Sequence, residues 1–205
     1  MNTNFFGRSA WVVLHVGMDL IVQDGWPADR VEHEFLNCVN NVLCCLYCRN
    51  GFTHFRKVLP FPKTKDSSEW PAWVVRLHNL VNQKLKKPQY EFSKHPFHSS
   101  LLLPSLLDLL YSAALNIPTQ NVQDRLHAFC CFVPVAIELL CLKHHKHKIQ
   151  HLQNIWKQQH ETQCLTQSST FDHLYDFIHT HIVAQRLTKD QIRGAYEVRR
   201  ARKDL

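Results

Sequence analysis

The sequence predicts an all-α protein, chiefly from its glycine content and its apolar spacing. Only five of its 205 residues are glycine, against a usual share of roughly 7%, which disfavours the tight hairpins of β-sheet proteins. Apolar residues recur at spacings of three and four, as on one face of a helix. The same shortage of glycine excludes the Gly-rich phosphate loops of Rossmann and P-loop proteins.

The first half of the chain contains four predicted helices. Trp11, Leu14 and Met18 mark one apolar face in the first of them. Prolines end the third and the fourth, because proline cannot continue a helix. The four segments are 8–22, 31–42, the stretch from Cys45 to Pro60, and the stretch that Ser67 or Ser68 caps and Pro88 closes.

The second half of the chain is predicted to be helical as well, and it begins with a Leu-rich stretch. We therefore predict two domains, 1–98 and 99–205, joined where the composition changes. The predicted helices of the second domain are 101–115, 122–159 with a kink at Pro134, 171–186, and a last one that starts at the capping box Thr188–Gln191.

The N-terminus has neither the basic region nor the apolar core of a signal peptide, so we expect an intracellular protein. Pro104, Asp108, Pro134 and Glu138 interrupt the Leu-rich runs, so no membrane span is predicted. Eight cysteines in such a chain point to redox chemistry or a metal rather than to a secreted disulfide scaffold.

Cys45 and Cys48 form a C-x-x-C motif at the predicted start of the third helix. Two thiols at this spacing can close a small disulfide ring, and a helix N-terminus favours the thiolate and so lowers a thiol pKa. The motif could also be half of a zinc site, which needs two more ligands. The nearest downstream histidines, His54 and His78, do not form the paired second half of such a site, so no metal is predicted.

Two further motifs flank this C-x-x-C. Upstream lies Gly7-Arg8-x-x-Trp11-x-x-Leu14-His15, and downstream lies the run from His78 to Pro88, H-N-x-V-N-x-x-L-x-K-P. The three motifs, in this order, resemble the signatures of the Erv/ALR family of FAD-dependent sulfhydryl oxidases. The resemblance covers roughly residues 7–95. It implies a bundle of four or five helices that holds FAD by side chains, followed by a second helical domain.

The resemblance implies a set of FAD contacts whose chemistry suits a nucleotide. His78 and Asn82 share one helical face, and amides with cations can bind a base, a ribose and a pyrophosphate. Alternatively, Trp11, Trp73 and Leu77 are only core residues, and the amides lie on a solvated face. The implied FAD contacts are Gly7, Arg8, Trp11, His15, His78, Asn79, Asn82, Lys84, Leu85 and Lys87.

By the same resemblance, Cys45 exchanges with incoming dithiols and Cys48 lies next to the flavin. A substrate thiolate attacks Cys45, and the second substrate thiol then releases the mixed disulfide. Electrons pass from Cys48 to the flavin and on to O₂, which gives H₂O₂. The implied partners are protein dithiols, O₂ and a second copy of the chain in a homodimer.

The chain also departs from the family pattern. Val75 and Phe92 stand where the family often has a structural cysteine pair, Gly51 stands where an aspartate or histidine is common, and no Arg-Trp follows the fourth helix. Cys44 is either a bystander or an alternative partner for a neighbouring thiol. These departures concern individual FAD contacts and leave the three motifs of the resemblance intact.

No second C-x-x-C is present to serve as a shuttle. Cys130, Cys131 and Cys141 lie in apolar helical runs and are expected to be buried and inert. Cys164 lies in a polar connector and is a candidate for a free or intermolecular thiol.

The added helical half resembles the architecture of enzymes that large DNA viruses encode, which implies the host cytoplasm or nucleus and the virion as locations. The net charge of +7, the Lys143–Lys148 run and the Arg199–Lys203 cluster come without an aromatic and basic groove, so nucleic-acid binding is not predicted. Two alternatives to an active oxidase are a catalytically weak structural or assembly protein with the same fold, and a zinc-binding basic module.

Overall fold

The structure is a computed structural model, and it describes residues 6–64, 66–91, 93, 97–115, 122–144, 146–160 and 167–182. All regular elements in these ranges are helices, which confirms the predicted fold class. The α-helices are α1 (Gly7–Asp24), α2 (Ala28–Arg30), α3 (Asn37–Val42), α4 (Leu46–Val58), α5 (Trp70–Lys84), α6 (Leu102–Leu115), α7 (Val122–His144), α8 (Ile149–His160) and α9 (Gln167–His181).

The ends of the early helices follow from local chemistry. Gly25 ends α1 in the left-handed conformation, with φ of 74°, which glycine adopts without steric cost. The cap before α5 differs from the prediction. Ser67 belongs to a 3₁₀ turn, Ser67–Glu69, and Asp66 caps that turn by accepting a hydrogen bond from the Ser68 backbone N–H.

A π-helical turn, Val31–Leu36, joins α2 to α3, and nothing in the apolar spacing predicts it. The wider turn lies in a segment whose apolar residues Val31, Phe35 and Leu36 are fully buried. A single extended turn of this kind occurs mostly inside longer helices.

The helix predicted over 122–159 is wrong as a single element, because α7 ends at His144 and α8 starts at Ile149. Like charges crowd the Lys143–Lys148 run, and its lysines are held by different partners. Lys143 donates to the Ser99 carbonyl, and Lys146 pairs with Asp24. The next predicted helix, 171–186, corresponds to α9, which begins earlier, at Gln167, and ends at His181, while residues 183–186 lie outside the described residues. The last predicted helix, Cys164 and Phe92 lie outside the described residues.

Helix α1 lies at the centre and packs against α5, α6 and α7, while α3 packs against α7. One apolar core therefore runs from the early helices into the later ones. Two polar links cross the same boundary: Ser9 Oγ donates to the buried Asp108 carboxylate, and Arg30 Nη2 lies 2.7 Å from Glu138 Oε2. The division at residues 98 and 99 stays a prediction.

Within the described ranges, no helix is both long and apolar enough to span a membrane.

Candidate active site

Helices α1, α4 and α5 enclose a cavity of about 350 Å³, a volume typical of small-molecule sites. Residues from all three sequence motifs line this cavity. Helix α1 carries the first motif, the C-x-x-C motif stands at the start of α4, and the third motif begins in α5. Predicted site residues on this wall are Gly7, Arg8, Trp11, Cys48, His78, Asn82, Lys84, Leu85 and Lys87. Apolar and aromatic neighbours complete it, among them Phe6, Leu14, Tyr47, Phe52, Phe55 and Phe97.

Three predicted site residues lie outside the lining of the cavity. Cys45 is buried beneath the start of α4, His15 lies behind His78, and Asn79 faces the segment after α5. The structure thus brings together most of the predicted set and places the other three in contact with it.

Cys45 is the N-cap of α4, and its Sγ accepts a hydrogen bond from the Cys48 backbone N–H at 3.4 Å. This contact satisfies one of the orphan N–H groups at the helix start. Both thiols are free, Cys45 is 8% exposed, and Cys48 is half-buried against the cavity.

The expected lowering of the thiol pKa is wrong for Cys48. Burial, together with the neighbouring Cys45 and Cys44, raises the pKa of Cys48 to about 12. A thiolate at Cys48 loses hydration and faces the negative charge of a second thiolate, whereas the capping position belongs to Cys45. In the reduced pair, Cys48 therefore keeps its proton.

A column of aromatic rings lies beside the cavity. Trp11 stacks on His78 with ring centroids 3.9 Å apart, Tyr90 stacks on His78 at 4.7 Å, and Phe97 stacks on Tyr90 at 5.4 Å. His15 Nε2 lies 3.2 Å from His78 Nδ1, so one imidazole donates to the other. The column holds the two histidines in fixed positions.

Both histidines are held neutral. Burial, with the nearby His78, lowers the pKa of His15 to about 3. Burial, with the positive charge of Lys87, lowers the pKa of His78 to about 4. Neutral imidazoles each offer one donor and one acceptor, so the pair can hydrogen-bond a base or a hydroxyl without adding charge.

The two amides of α5 shape the segment that follows the helix, a role that the sequence did not reveal. Asn79 Oδ1 accepts from the Tyr90 N–H at 2.6 Å, and Asn79 Nδ2 donates to the Tyr90 carbonyl at 3.1 Å. Asn82 Nδ2 donates to the Pro88 carbonyl at 3.1 Å. These bonds hold Tyr90 against His78 and Lys87 at the cavity.

Three cations line the cavity: Arg8, Lys84 and Lys87. The Lys84 ammonium lies over the Tyr47 ring, 4.4 Å from its centroid. A Cβ at Gly51 would lie 3.9 Å from this ammonium, so the glycine leaves open space where the family often has a polar side chain. The positive charge lies where an anionic ligand could meet it.

The prediction that Cys130 and Cys131 are buried is wrong, because Cys130 is half-buried and Cys131 is exposed. Only Cys141 of the three is fully buried. Helix α7 is apolar on most of its surface, so its sequence gives little indication of which side faces solvent.

Among the residues that the structure describes, no group of three or more His, Cys, Asp or Glu side chains is arranged to hold a metal ion.

The cavity, the thiol pair at a helix start and the histidine pair lie together in a bundle formed by α1, α4 and α5. Residues 8–99 match the Erv1 / Alr family, as the motifs predicted. The same region is similar to the mitochondrial FAD-linked sulfhydryl oxidase ERV1 of Saccharomyces cerevisiae, with 29% identity over 91 residues, covering 42% of this chain and 45% of that relative. The chain thus spans less than half the length of this curated relative. No solved structure matches significantly.

Proposed function

We propose that this protein is an FAD-linked thiol oxidase that makes disulfide bonds in protein substrates. One observation carries the proposal: a single cavity joins the Cys48 thiol to the histidine, aromatic and cationic residues predicted to bind the nucleotide. The name of the yeast relative, an FAD-linked sulfhydryl oxidase, supports it.

The residues present fit FAD. The cavity combines an apolar and aromatic wall with Arg8, Lys84 and Lys87, as an isoalloxazine ring and a pyrophosphate require. The neutral His78 supplies a hydrogen bond for the adenosine part, and His15 holds His78 in place from behind. The chemistry that FAD supplies when bound is acceptance of an electron pair from thiols and its transfer to O₂, with release of H₂O₂.

The protein's own part is a pair of thiol–disulfide exchanges. In the oxidised enzyme, a substrate thiolate attacks Cys45 Sγ, the Cys45–Cys48 bond breaks, and Cys48 leaves as a thiolate facing the cavity, where it takes up a proton because its pKa is raised. The second substrate thiolate then attacks the substrate sulfur and releases Cys45. The substrate gains one disulfide. The cysteine pair gains two electrons, together with two protons from solvent that replace those the substrate thiols released. The 3.4 Å bond from the Cys48 N–H stabilises the departing Cys45 thiolate.

The surface around the pair suits a protein substrate. Leu46 and Tyr47, the two residues between the cysteines, are 63% and 59% exposed. They present apolar surface immediately beside the sulfur that a substrate attacks, whereas Cys45 itself is almost covered. Apolar side chains flanking the reactive cysteine of a protein dithiol would gain contact there.

We also propose that the protein forms the implied homodimer through the helices of the flavin domain. We propose that it acts inside cells and that a virus-encoded form is located in the host cytoplasm or nucleus and in the virion. Sedimentation of the purified protein tests the dimer. We expect the mass of two chains, and the mass of one chain would contradict it.

Oxygen consumption with dithiothreitol tests the activity. We expect Cys45→Ala and Cys48→Ala each to lower the rate by at least about 100-fold, because neither can form the disulfide that accepts electrons. Cys141→Ala is the matched control, because this thiol is buried away from the cavity and its loss leaves the rate unchanged. An unchanged rate in Cys48→Ala would refute the assigned role.

The catalytically weak alternative is favoured by one observation, the near-complete burial of Cys45. It predicts a yellow protein that binds FAD but does not consume oxygen with a dithiol.

The variant Cys44→Ser separates the two roles of Cys44. If Cys44 is a bystander, the rate of oxygen consumption is unchanged, whereas the loss of an alternative disulfide partner changes this rate.

A further inference from the structure

A second thiol pair lies between α3 and α7, apart from the C-x-x-C motif. Helix α3 packs against α7, and Cys38 Sγ donates to the backbone carbonyl of Cys131 at 3.7 Å. The two cysteines are 93 residues apart in the sequence. One belongs to the part of the chain that matches the Erv1 / Alr family, and the other to the additional helical part.

The two thiols have different surroundings. Cys131 is exposed, and its Sγ lies 3.5 Å from His127 Nε2, one turn earlier on α7. Cys38 is half-buried, and burial together with the charges of Cys131 and Glu34 raises its pKa to about 11. Cys131 thus has both access to solvent and a base, and Cys38 has neither a base nor open access.

We propose that Cys131 and Cys38 form a second redox site, in which Cys131 attacks a disulfide from solution and Cys38 resolves the product into a Cys38–Cys131 disulfide. The substrate class is a low-molecular-weight disulfide such as glutathione disulfide. The product is a covalent bond between α3 and α7, immediately before the chain enters the C-x-x-C motif.

Glutathione disulfide is the only oxidant that this exchange needs. His127 takes the Cys131 proton, the Cys131 thiolate attacks one sulfur of glutathione disulfide, and one glutathione thiolate leaves. Cys38, on losing its proton to solvent, attacks Cys131 Sγ and displaces the second glutathione thiolate. Two protein thiols are oxidised and one small disulfide is reduced to two thiols.

The neighbouring cysteine is not the partner of Cys131. Adjacent residues have Cα atoms about 3.8 Å apart, which is shorter than the roughly 4.4 Å minimum of a normal disulfide. Cys130 and Cys131 are also both within the regular helix α7. A Cys130–Cys131 bond would distort this helix, whereas Cys38 meets Cys131 across a helix interface.

Peptide mapping tests the proposal directly. The full-length protein is treated with glutathione disulfide, blocked with an alkylating reagent and digested with chymotrypsin without reduction. Cleavage after Leu36, Leu43, Phe129 and Phe132 releases 37–43 and 130–132. We expect these two peptides joined by one disulfide in wild type, and a rise in Tm of about 5 °C on oxidation, because the bond closes a long loop.

Three matched variants assign the sulfurs. The joined peptide should be lost in Cys38→Ser and Cys131→Ser and retained in Cys130→Ser, and His127→Gln should slow its formation about tenfold. Glutathione attached to Cys131 with Cys38 alkylated in wild type would overturn the proposal. So would a joined peptide that disappears in Cys130→Ser. Neither result depends on thiol oxidase activity.

Discussion

At the scale of single residues, His15 and His78 make stability depend on pH. The unfolded chain protonates histidine near its ordinary pKa of 6.5, whereas the folded chain does so only at about 3 for His15 and about 4 for His78. The unfolded state therefore binds more protons between these values, and stability falls as pH falls from 6.5 towards 4.

We expect the urea midpoint to fall between pH 7 and pH 4.5, by an amount that corresponds to roughly 2 kcal/mol for each of the two histidines. His78→Gln should remove about half of this dependence, because the buried His15 remains, and His54→Gln, which changes an exposed histidine of α4, should leave it intact. An equally steep fall in His78→Gln would show that other groups cause it.

The family resemblance named the polar and charged part of the cavity wall, and the helical period agrees with it, because this period places Trp11 with Leu14 and His78 with Asn82. The motifs and their spacing did not predict which atoms Asn79 and Asn82 bond to. Those amides bond to backbone atoms of a segment in which Lys86 has φ of 54°. A sequence gives the donor and the acceptor but not the path of the backbone that meets them.

At the scale of helices, two glycines predict opposite responses to the same substitution. A Cβ at Gly17 of α1 would lie 2.9 Å from Cζ of the fully buried Phe35 ring. We expect Gly17→Ala to lower the free energy of unfolding by about 1 kcal/mol, because the clash in a packed core outweighs the gain in helix propensity.

Gly51→Ala is the matched control, since the new Cβ meets nothing closer than 3.9 Å in α4. It should raise the free energy of unfolding by about 0.5–1 kcal/mol. Denaturant unfolding of both variants measures the difference, and a stabilised Gly17→Ala would show that Phe35 moves aside freely.

Helix positions in the first half were predictable mainly because prolines and apolar spacing agree there, although Asp66 rather than a serine caps the turn before α5. Cys45 caps α4, and Pro71 stands at the start of α5. The π turn Val31–Leu36 was not predictable, because its buried residues fit a helical pattern equally well. The break after α7 was missed because no proline or glycine marks the Lys143–Lys148 run.

At the scale of the whole molecule, Arg30 links the early helices to α7. Its guanidinium lies 2.7 Å from both Glu34 and Glu138, and the Glu138 side chain is only 9% exposed. Gln153 of α8 donates to the same Glu138 oxygen at 3.3 Å. Removal of Arg30 leaves a buried carboxylate without its cation.

We expect Arg30→Gln to lower the free energy of unfolding by about 3 kcal/mol. Glu34→Gln, which removes the exposed partner of the same guanidinium, should cost less than about 1 kcal/mol. Equal effects in thermal or denaturant unfolding would contradict the assignment of Glu138 as the important partner.

Contacts between distant parts of the chain were beyond what the sequence could predict. Ser9 with Asp108, Arg30 with Glu138 and Cys38 with Cys131 all join residues that no local pattern relates. The composition change near residue 98 predicted two halves, and the shared core shows how closely their helices pack. Periodicity gives the apolar face of each helix but not the helix that covers it.

The visible absorption spectrum of the purified full-length protein, recorded before and after anaerobic addition of dithiothreitol, tests the central claim most directly. We expect a bound flavin spectrum that bleaches in wild type and persists in Cys48→Ala, because electrons reach the cavity through that thiol. A colourless protein with stoichiometric zinc, or bleaching at the wild-type rate in Cys48→Ala, would contradict it.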